Sequence, residues 1–120
     1  MSRGRVLIVD DDPDVAEALS ELLKLGGFKT DLKNDGKTAI FAALARPYTA
    51  AIIDIGLPDM DGLDVMSEIQ RHQPALRIFL MTGYGSHDVA TRAQKAGTCD
   101  ILVKPFDVGH LIRRLNEPTS

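Results

Sequence analysis

The sequence predicts a doubly wound α/β fold, and three observations carry that prediction. Five short apolar, β-branched runs alternate with stretches of helical periodicity. Each intervening stretch is long enough to hold a crossover helix, which parallel neighbours require. Three of the runs, the first, third and fourth, are almost purely apolar, as in strands covered on both faces. The length, 120 residues, is that of one domain around one core, so residues 1–120 are expected to form a single domain.

The elements follow in order. The first strand is expected at Arg5–Val9. Asp12 then caps a helix over about Pro13–Leu25, with Pro13 in the first helical position and Val15, Leu19, Leu22 and Leu23 on the inner face. Asp14 is a first-turn acid that suits the helix dipole, and Gly26-Gly27 ends the helix. Phe28–Lys33 alternates strictly, which marks an edge strand with one wet face. Asp35 and Gly36 turn the chain into a second helix, about Gly36–Ala45, with Ile40, Ala43 and Leu44 inward. Ala50–Ile53 is the third strand. The third helix, about Leu63–His72, turns Val65, Met66 and Ile69 inward and stops before Pro74. Arg77–Met81 is the fourth strand, and His87–Lys95 the fourth helix, between Ser86 as its cap and Gly97 past its end. Cys99–Val103 and Val108–Asn116, the latter with Leu111, Ile112 and Leu115 on one face, complete five βα units. Right-handed crossovers, with the alternating strand placed outside strand one, give the flavodoxin-like (βα)5 order 2-1-3-4-5.

Composition excludes several classes of function. Charged residues make up 26% and apolar residues 44%, the balance of an ordinary globular chain. A net charge of −3 with no basic run argues against direct nucleic-acid binding by this domain; Arg113-Arg114 falls where a helix end favours cations. No apolar run is long enough for a bilayer, and the N-terminus lacks a leader pattern. With Cys99 as the sole cysteine, read as a small apolar strand residue, the expected location is cytoplasmic.

In such a sheet ligands bind beyond the carboxyl ends of the strands, near the point where strand order reverses. Strand one ends at Asp10 and Asp11, strand three at Asp54, strand four at Thr82 and strand five at Lys104. Like charges so crowded repel unless a cation lies among them. Short carboxylates ask for a hard, oxygen-seeking ion, and Mg²⁺ fits because it keeps waters that a phosphate can displace. An ammonium and a hydroxyl beside such an ion form a receptor for a phosphoryl group, and a carboxylate can serve as its nucleophile. The chemistry implied is phosphoryl transfer onto Asp54.

The segments "VLIVDDDPDV", "IIDIGLPDMDGLDV", "FLMTGYGS" and "ILVKPF" resemble, in order and spacing, the receiver domain of bacterial two-component response regulators, across essentially the whole chain. The resemblance implies Asp10 and Asp11 as the acidic pair for Mg²⁺, Asp54 as phosphoacceptor and the Gly56 carbonyl as a further metal ligand. It implies Thr82 and Lys104 as the contacts to phosphoryl oxygens. It also implies a phosphohistidine donor on a sensor histidine kinase or a histidine phosphotransfer protein. Effector or dimer contact is expected through the face of the fourth helix, fifth strand and fifth helix. Such a domain is not an enzyme on external substrates; it catalyses only its own phosphorylation and dephosphorylation.

One position departs from the pattern. Three residues before Lys104 the family carries Tyr or Phe, and this chain carries Ile101, which is stiff at χ1 and lacks a hydroxyl. Signalling is therefore expected to run through Thr82 and the loop "GYGS". Other acids have local roles: Asp59 and Asp61 read as loop and turn residues. His72, His87 and His110 share no ligand spacing and read as solvated surface. Tyr84 reads equally as a modulator of access to Asp54 or as an exposed loop aromatic. Asp10, Asp12, Asp14 and Glu21 mimic EF-hand spacing, but Val15 stands where that loop needs glycine. "DMDG" resembles the nucleophile motif of haloacid-dehalogenase-type phosphatases, yet Asp54, not Asp59, follows the strand directly. Two further functions compete. A phosphatase acting on external esters would need an acid–base group and a cap that five βα units leave no residues to build. A pure interaction domain would not need all five site residues.

Overall fold

A five-stranded, all-parallel sheet in the order β2-β1-β3-β4-β5 organises the computed structural model, which describes residues 3–83, 99–103 and 107–117. The strands are β1 (Arg5–Val9), β2 (Lys29–Lys33), β3 (Ala50–Asp54), β4 (Arg77–Thr82) and β5 (Cys99–Val103). The helices are α1 (Pro13–Leu25), α2 (Gly36–Ala45), α3 (Gly62–His72) and a last helix, Val108–Asn116. The fourth helix expected at 87–95 lies outside the described residues. Among the described residues, no helix is long and apolar enough to cross a membrane.

The two faces of the sheet divide the apolar side chains by parity. Leu7, Val9, Ala51, Ile53, Ile78 and Leu80 turn toward α2 and α3, where they meet Ala39, Ala43, Val65, Met66 and Ile69. Val6, Ile8, Ala50, Ile52, Phe79 and Met81 turn the other way, onto Ala16, Leu19 and Leu23 of α1 and Leu111 and Leu115 of the last helix. Alternation with both partners apolar is what a doubly covered strand requires. β2 lies at the edge, as its polar residues predict, although Leu32 is exposed, so its alternation does not map cleanly onto dry and wet faces.

Two helix faces differ from expectation. On α1 the buried set is Ala16, Leu19, Ser20 and Leu23, while Leu22 is exposed. On α2 the buried set is Gly36, Ala39 and Ala43; Ile40 is half-buried and Leu44 exposed. Both helices press small residues to the sheet, and Ser20 is satisfied there by the Thr30 hydroxyl at 2.6 Å. Boundaries differ by a residue: Phe28 closes α1, its N–H donating to the Leu23 carbonyl, instead of opening β2. α3 starts at Gly62, and β3 and β4 run one residue further, to Asp54 and Thr82. In the middle of the edge strand β2, Asp31 gathers Arg5 (2.8 Å), Arg46 (3.4 Å) and the Tyr48 hydroxyl (2.7 Å). Burial, then the hydrogen bond to Asp31, raises the Tyr48 phenol above its ordinary pKa.

α3 begins against the end of β3. A Cβ on Gly62 would stand 2.6 Å from Ile55 Cα and 2.7 Å from the Asp54 carbonyl oxygen, both backbone atoms. Only glycine fits, and the close approach sets how Asp54 leaves the strand. Gly62→Ala is expected to cost about 1–3 kcal/mol, as overpacking does. At Gly83 an added Cβ meets nothing within 4 Å, so Gly83→Ala should stay within about 0.5 kcal/mol of the parent. Urea midpoints of the two variants check this; equal midpoints would refute it.

Candidate functional site

β1 and β3 are neighbours in space, but the chain leaves β1 toward β2 on one side and reaches β3 on the other, so the strand order reverses between them. Val9 is in register with Ile53, Asp54 with Met81, and Thr82 with Val103. Each strand thus contributes its polar end one step beyond its neighbour's last apolar pair. Asp10 follows Val9, Asp54 follows Ile53, and Thr82 follows Met81.

The result is a compact acidic group. Asp10, Asp11 and Asp54 each present a carboxylate oxygen, and these oxygens lie within 4.8 Å of one another. Asp10 is 1% exposed, Asp54 intermediate and Asp11 open to solvent. At that spacing each pair of charges repels by about 1 kcal/mol in bulk water and about 3 kcal/mol at an effective dielectric near 20. Local donors offset part of this: the Asp12 N–H donates to Asp10 Oδ1 (2.9 Å), and the Gly56 N–H to Asp54 Oδ1 (3.1 Å). A graded trio of carboxylates, from buried to exposed, suits a hard divalent cation that retains water on its open side.

Thr82 ends β4 and is 2% exposed. Gly56 is exposed beside Asp54, in the loop that leads to α3. Lys104 and Pro105 lie outside the described residues, as do Tyr84, Ser86 and His87; Lys104 follows Val103, the register partner of Thr82. Ile101 is half-buried and packs against the core on the α2 and α3 side of the sheet. Asp12 is the cap of α1, accepting from Asp14 N (3.0 Å) and Val15 N (3.5 Å), and Asp14 is the first-turn acid. Asp35 caps α2 through Thr38 N (2.8 Å) and Asp61 caps α3 through Leu63 N (2.9 Å). His72 and His110 are exposed.

Sequence reasoning missed one residue near this site. Asp59 is not a bare turn residue: its Oδ1 accepts from Gly36 N at 2.7 Å and its Oδ2 from Lys37 N at 3.0 Å, tying the loop after Asp54 to the start of α2. Its only sequence signal was an acid a few residues beyond a strand end.

Three kinds of comparison bear on this arrangement. The family model of the response regulator receiver domain matches residues 6–116. The response regulator protein PilR of Pseudomonas aeruginosa is 41% identical over 113 residues, covering 92% of this chain and 25% of PilR. The regulatory protein AtoC of Escherichia coli is 36% identical over 108 residues, covering 90% of this chain and 23% of AtoC. The chain therefore spans about a quarter of the length of these relatives. Among solved structures, a CheY-like receiver domain from Methanospirillum hungatei superposes with a TM-score of 0.87 at 24% identity, over 92% of this chain and 89% of that one, a likeness of fold. A Burkholderia pseudomallei response regulator, solved with a phosphorylated aspartic acid, calcium ion and citrate, superposes at 0.86 with 28% identity, over 93% of this chain and 66% of that one. A parallel sheet with carboxylates at its switch point and this ancestry define a class, the phosphoacceptor signalling modules. Within it the chain belongs to the receiver domain family of two-component response regulators.

Hydrogen bonds from Gly36 and then Lys37 hold the Asp59 carboxyl below its ordinary value of 3.8. A depressed folded value means that Asp59 adds stability above the unfolded pKa and loses it as pH falls through the folded one. Asp59→Asn should therefore be less stable than the parent at neutral pH, by a margin that stays constant down to about pH 4 and closes below it. Urea midpoints measured from pH 7 to pH 2 check the sign; a margin that widened in acid would contradict it.

Proposed function

We propose that Asp54 is the phosphoacceptor of this receiver, in a Mg²⁺-dependent reaction, and that residues 1–120 act as one such domain. The observation that carries the reading is the convergence of Asp10, Asp11 and Asp54 within 4.8 Å at the β1/β3 switch point. Asp10, Asp11, the Asp54 carboxylate and the Gly56 carbonyl would hold the cation. When bound, Mg²⁺ neutralises the negative charge that carboxylates and phosphoryl oxygens would otherwise bring together.

The chain's own residues account for the rest. A carboxylate oxygen of Asp54 attacks phosphorus while the bond from phosphorus to the donor's imidazole nitrogen breaks and the imidazole leaves. The new bond is an acyl phosphate. The Gly56 N–H on Asp54 Oδ1 orients the carboxylate. The Thr82 hydroxyl donates to a phosphoryl oxygen, and Lys104 supplies the balancing positive charge. Hydrolysis of the acyl phosphate by water resets the domain. The donor is a phosphohistidine of a sensor histidine kinase or a histidine phosphotransfer protein.

Response follows from a shift between two conformations that the phosphoryl group stabilises unequally. With Ile101 in place of the family's aromatic residue, the readout runs through Thr82 and residues 83–86 toward the face that the fourth helix expected from the sequence would share with β5 and the last helix. An effector domain or a second receiver is the partner that this face would meet. The family's place in signalling supports a cytoplasmic setting.

Incubation with Mg²⁺ and acetyl phosphate, followed by intact-mass measurement, tests the reading. One phosphoryl group should be gained by the parent, none by Asp54→Asn, and none by the parent in excess EDTA. Steady phosphate release from varied esters would point to a phosphatase instead, and absence of any adduct to a pure interaction domain.

A further inference from the structure

The loop from Asp54 to α3 is tied at its base and at its tip. At the base the Gly62 N–H donates to the Ile55 carbonyl at 3.1 Å, and Gly56 bridges to Asp61 in antiparallel fashion. At the tip Asp59 accepts the Gly36 and Lys37 N–H groups, 23 and 22 residues back along the chain. α2 does not depend on this contact to begin. Asp35 already accepts from Thr38 N, and the Asp35 carbonyl accepts from Ala39 N. The Asp59 bonds therefore supply what a local cap does not, a fixed relation between the first turn of α2 and the loop beside Asp54.

The joint is tight. A Cβ on Gly36 would stand 2.7 Å from Val65 Cγ2 and 3.0 Å from Met60 Sδ, so the start of α2 is pressed onto the loop and α3. Gly56 is the opposite case. It is exposed, and an added Cβ would meet only Asp54 Oδ1, at 3.9 Å. Packing does not hold the Gly56 peptide; hydrogen bonds and the anchoring of the loop do. A carboxylate spanning two N–H groups at a helix start is a strong anchor, because both bonds are charge-assisted and the helix dipole adds to them.

We propose that Asp59 is a positioning residue for the cation site: by clamping the loop tip to α2 it fixes the Gly56 carbonyl relative to Asp54. The proposal rests on the assignment of Gly56 and Asp54 made above. Partners that orient a metal's ligands typically change its affinity by about 10–100-fold when removed. Asp59→Ala is expected to weaken Mg²⁺ binding by about tenfold, at the low end because one ligand of four is affected.

Amide chemical shifts of isotopically labelled protein, followed during Mg²⁺ titration, read this without phosphorylation. Four chains are compared: the parent, Asp59→Ala, Asp59→Asn and Asp35→Ala. The expected order of Mg²⁺ dissociation constants is parent equal to Asp35→Ala, then Asp59→Asn, whose amide oxygen still accepts an N–H, then Asp59→Ala. At saturating Mg²⁺ the rate of phosphoryl uptake by Asp59→Ala should return toward the parent's. Unchanged affinity in Asp59→Ala overturns the proposal, as does an equal loss in Asp35→Ala, which would mark a general effect of a weakened α2. A parent chain that binds no Mg²⁺ would instead remove the cation site itself.

Discussion

Mutual repulsion of carboxylates is the constraint from which the rest of this domain follows. Three oxygens of Asp10, Asp11 and Asp54 are confined within 4.8 Å, where their charges repel. The opposing force comes from the two-sided core. Val6 to Val9 and Ala50 to Ile53 are fully buried, and they carry the acids at their ends to fixed positions. Displacing Asp54 from Asp10 would shift the register of β1 against β3 and turn apolar side chains to the wrong face. Hydrophobic burial is thus spent on holding like charges together, a conflict that marks a binding site and not a scaffold.

Charge is handled differently at two places on the sheet. On the edge strand β2, Asp31 meets Arg5, Arg46 and the Tyr48 hydroxyl, so opposite charge and a hydrogen bond balance it. At the carboxyl ends of β1 and β3, Asp10, Asp11 and Asp54 bring carboxylate oxygens within 4.8 Å of one another. In the loops at those carboxyl ends, close backbone approach demands glycine at Gly62, and the start of α2 is shared between segments.

Much of this was legible in the sequence because period and position coincide. Strands buried on both faces read as unbroken apolar runs, and their ends are where polar residues first appear; Asp10, Asp11, Asp54 and Thr82 could be read off that way. The caps at Asp12, Asp35 and Asp61 involve partners two or three residues away; Asp12 was legible as a cap, whereas Asp35 and Asp61 read only as turn residues. Helix faces were less legible. Hydrophobicity favours Leu22 and Leu44, but the buried faces carry small residues, Ala16 and Ser20 beside Leu19 and Leu23 on α1 and Ala39 and Ala43 on α2, because close packing selects small side chains. Asp59 was illegible for a different reason. Its partners lie on a helix more than twenty residues earlier, and nothing local in "LPDMDG" distinguishes a turn acid from a tether.

Ile101 shows how far the site and its readout can diverge. The residue sits in β5, two places before the strand's end, half-buried against the core shared with Leu80 and Ile78. A rotating aromatic at this place could alternate between buried and exposed positions and expose its hydroxyl in one of them. A β-branched aliphatic side chain has one strongly preferred χ1 in a given backbone setting and gains nothing by turning toward water. The chemistry at Asp54 is indifferent to that exchange, since Ile101 donates nothing to the acidic group. The consequence would fall on transmission: the proposed route is the backbone near Thr82, whose side chain is buried and whose strand is in register with both Asp54 and Val103. On the assignment proposed above, acceptance of the phosphoryl group and response to it fall to different residues of one sheet, so that sequence change in the second would leave the first intact.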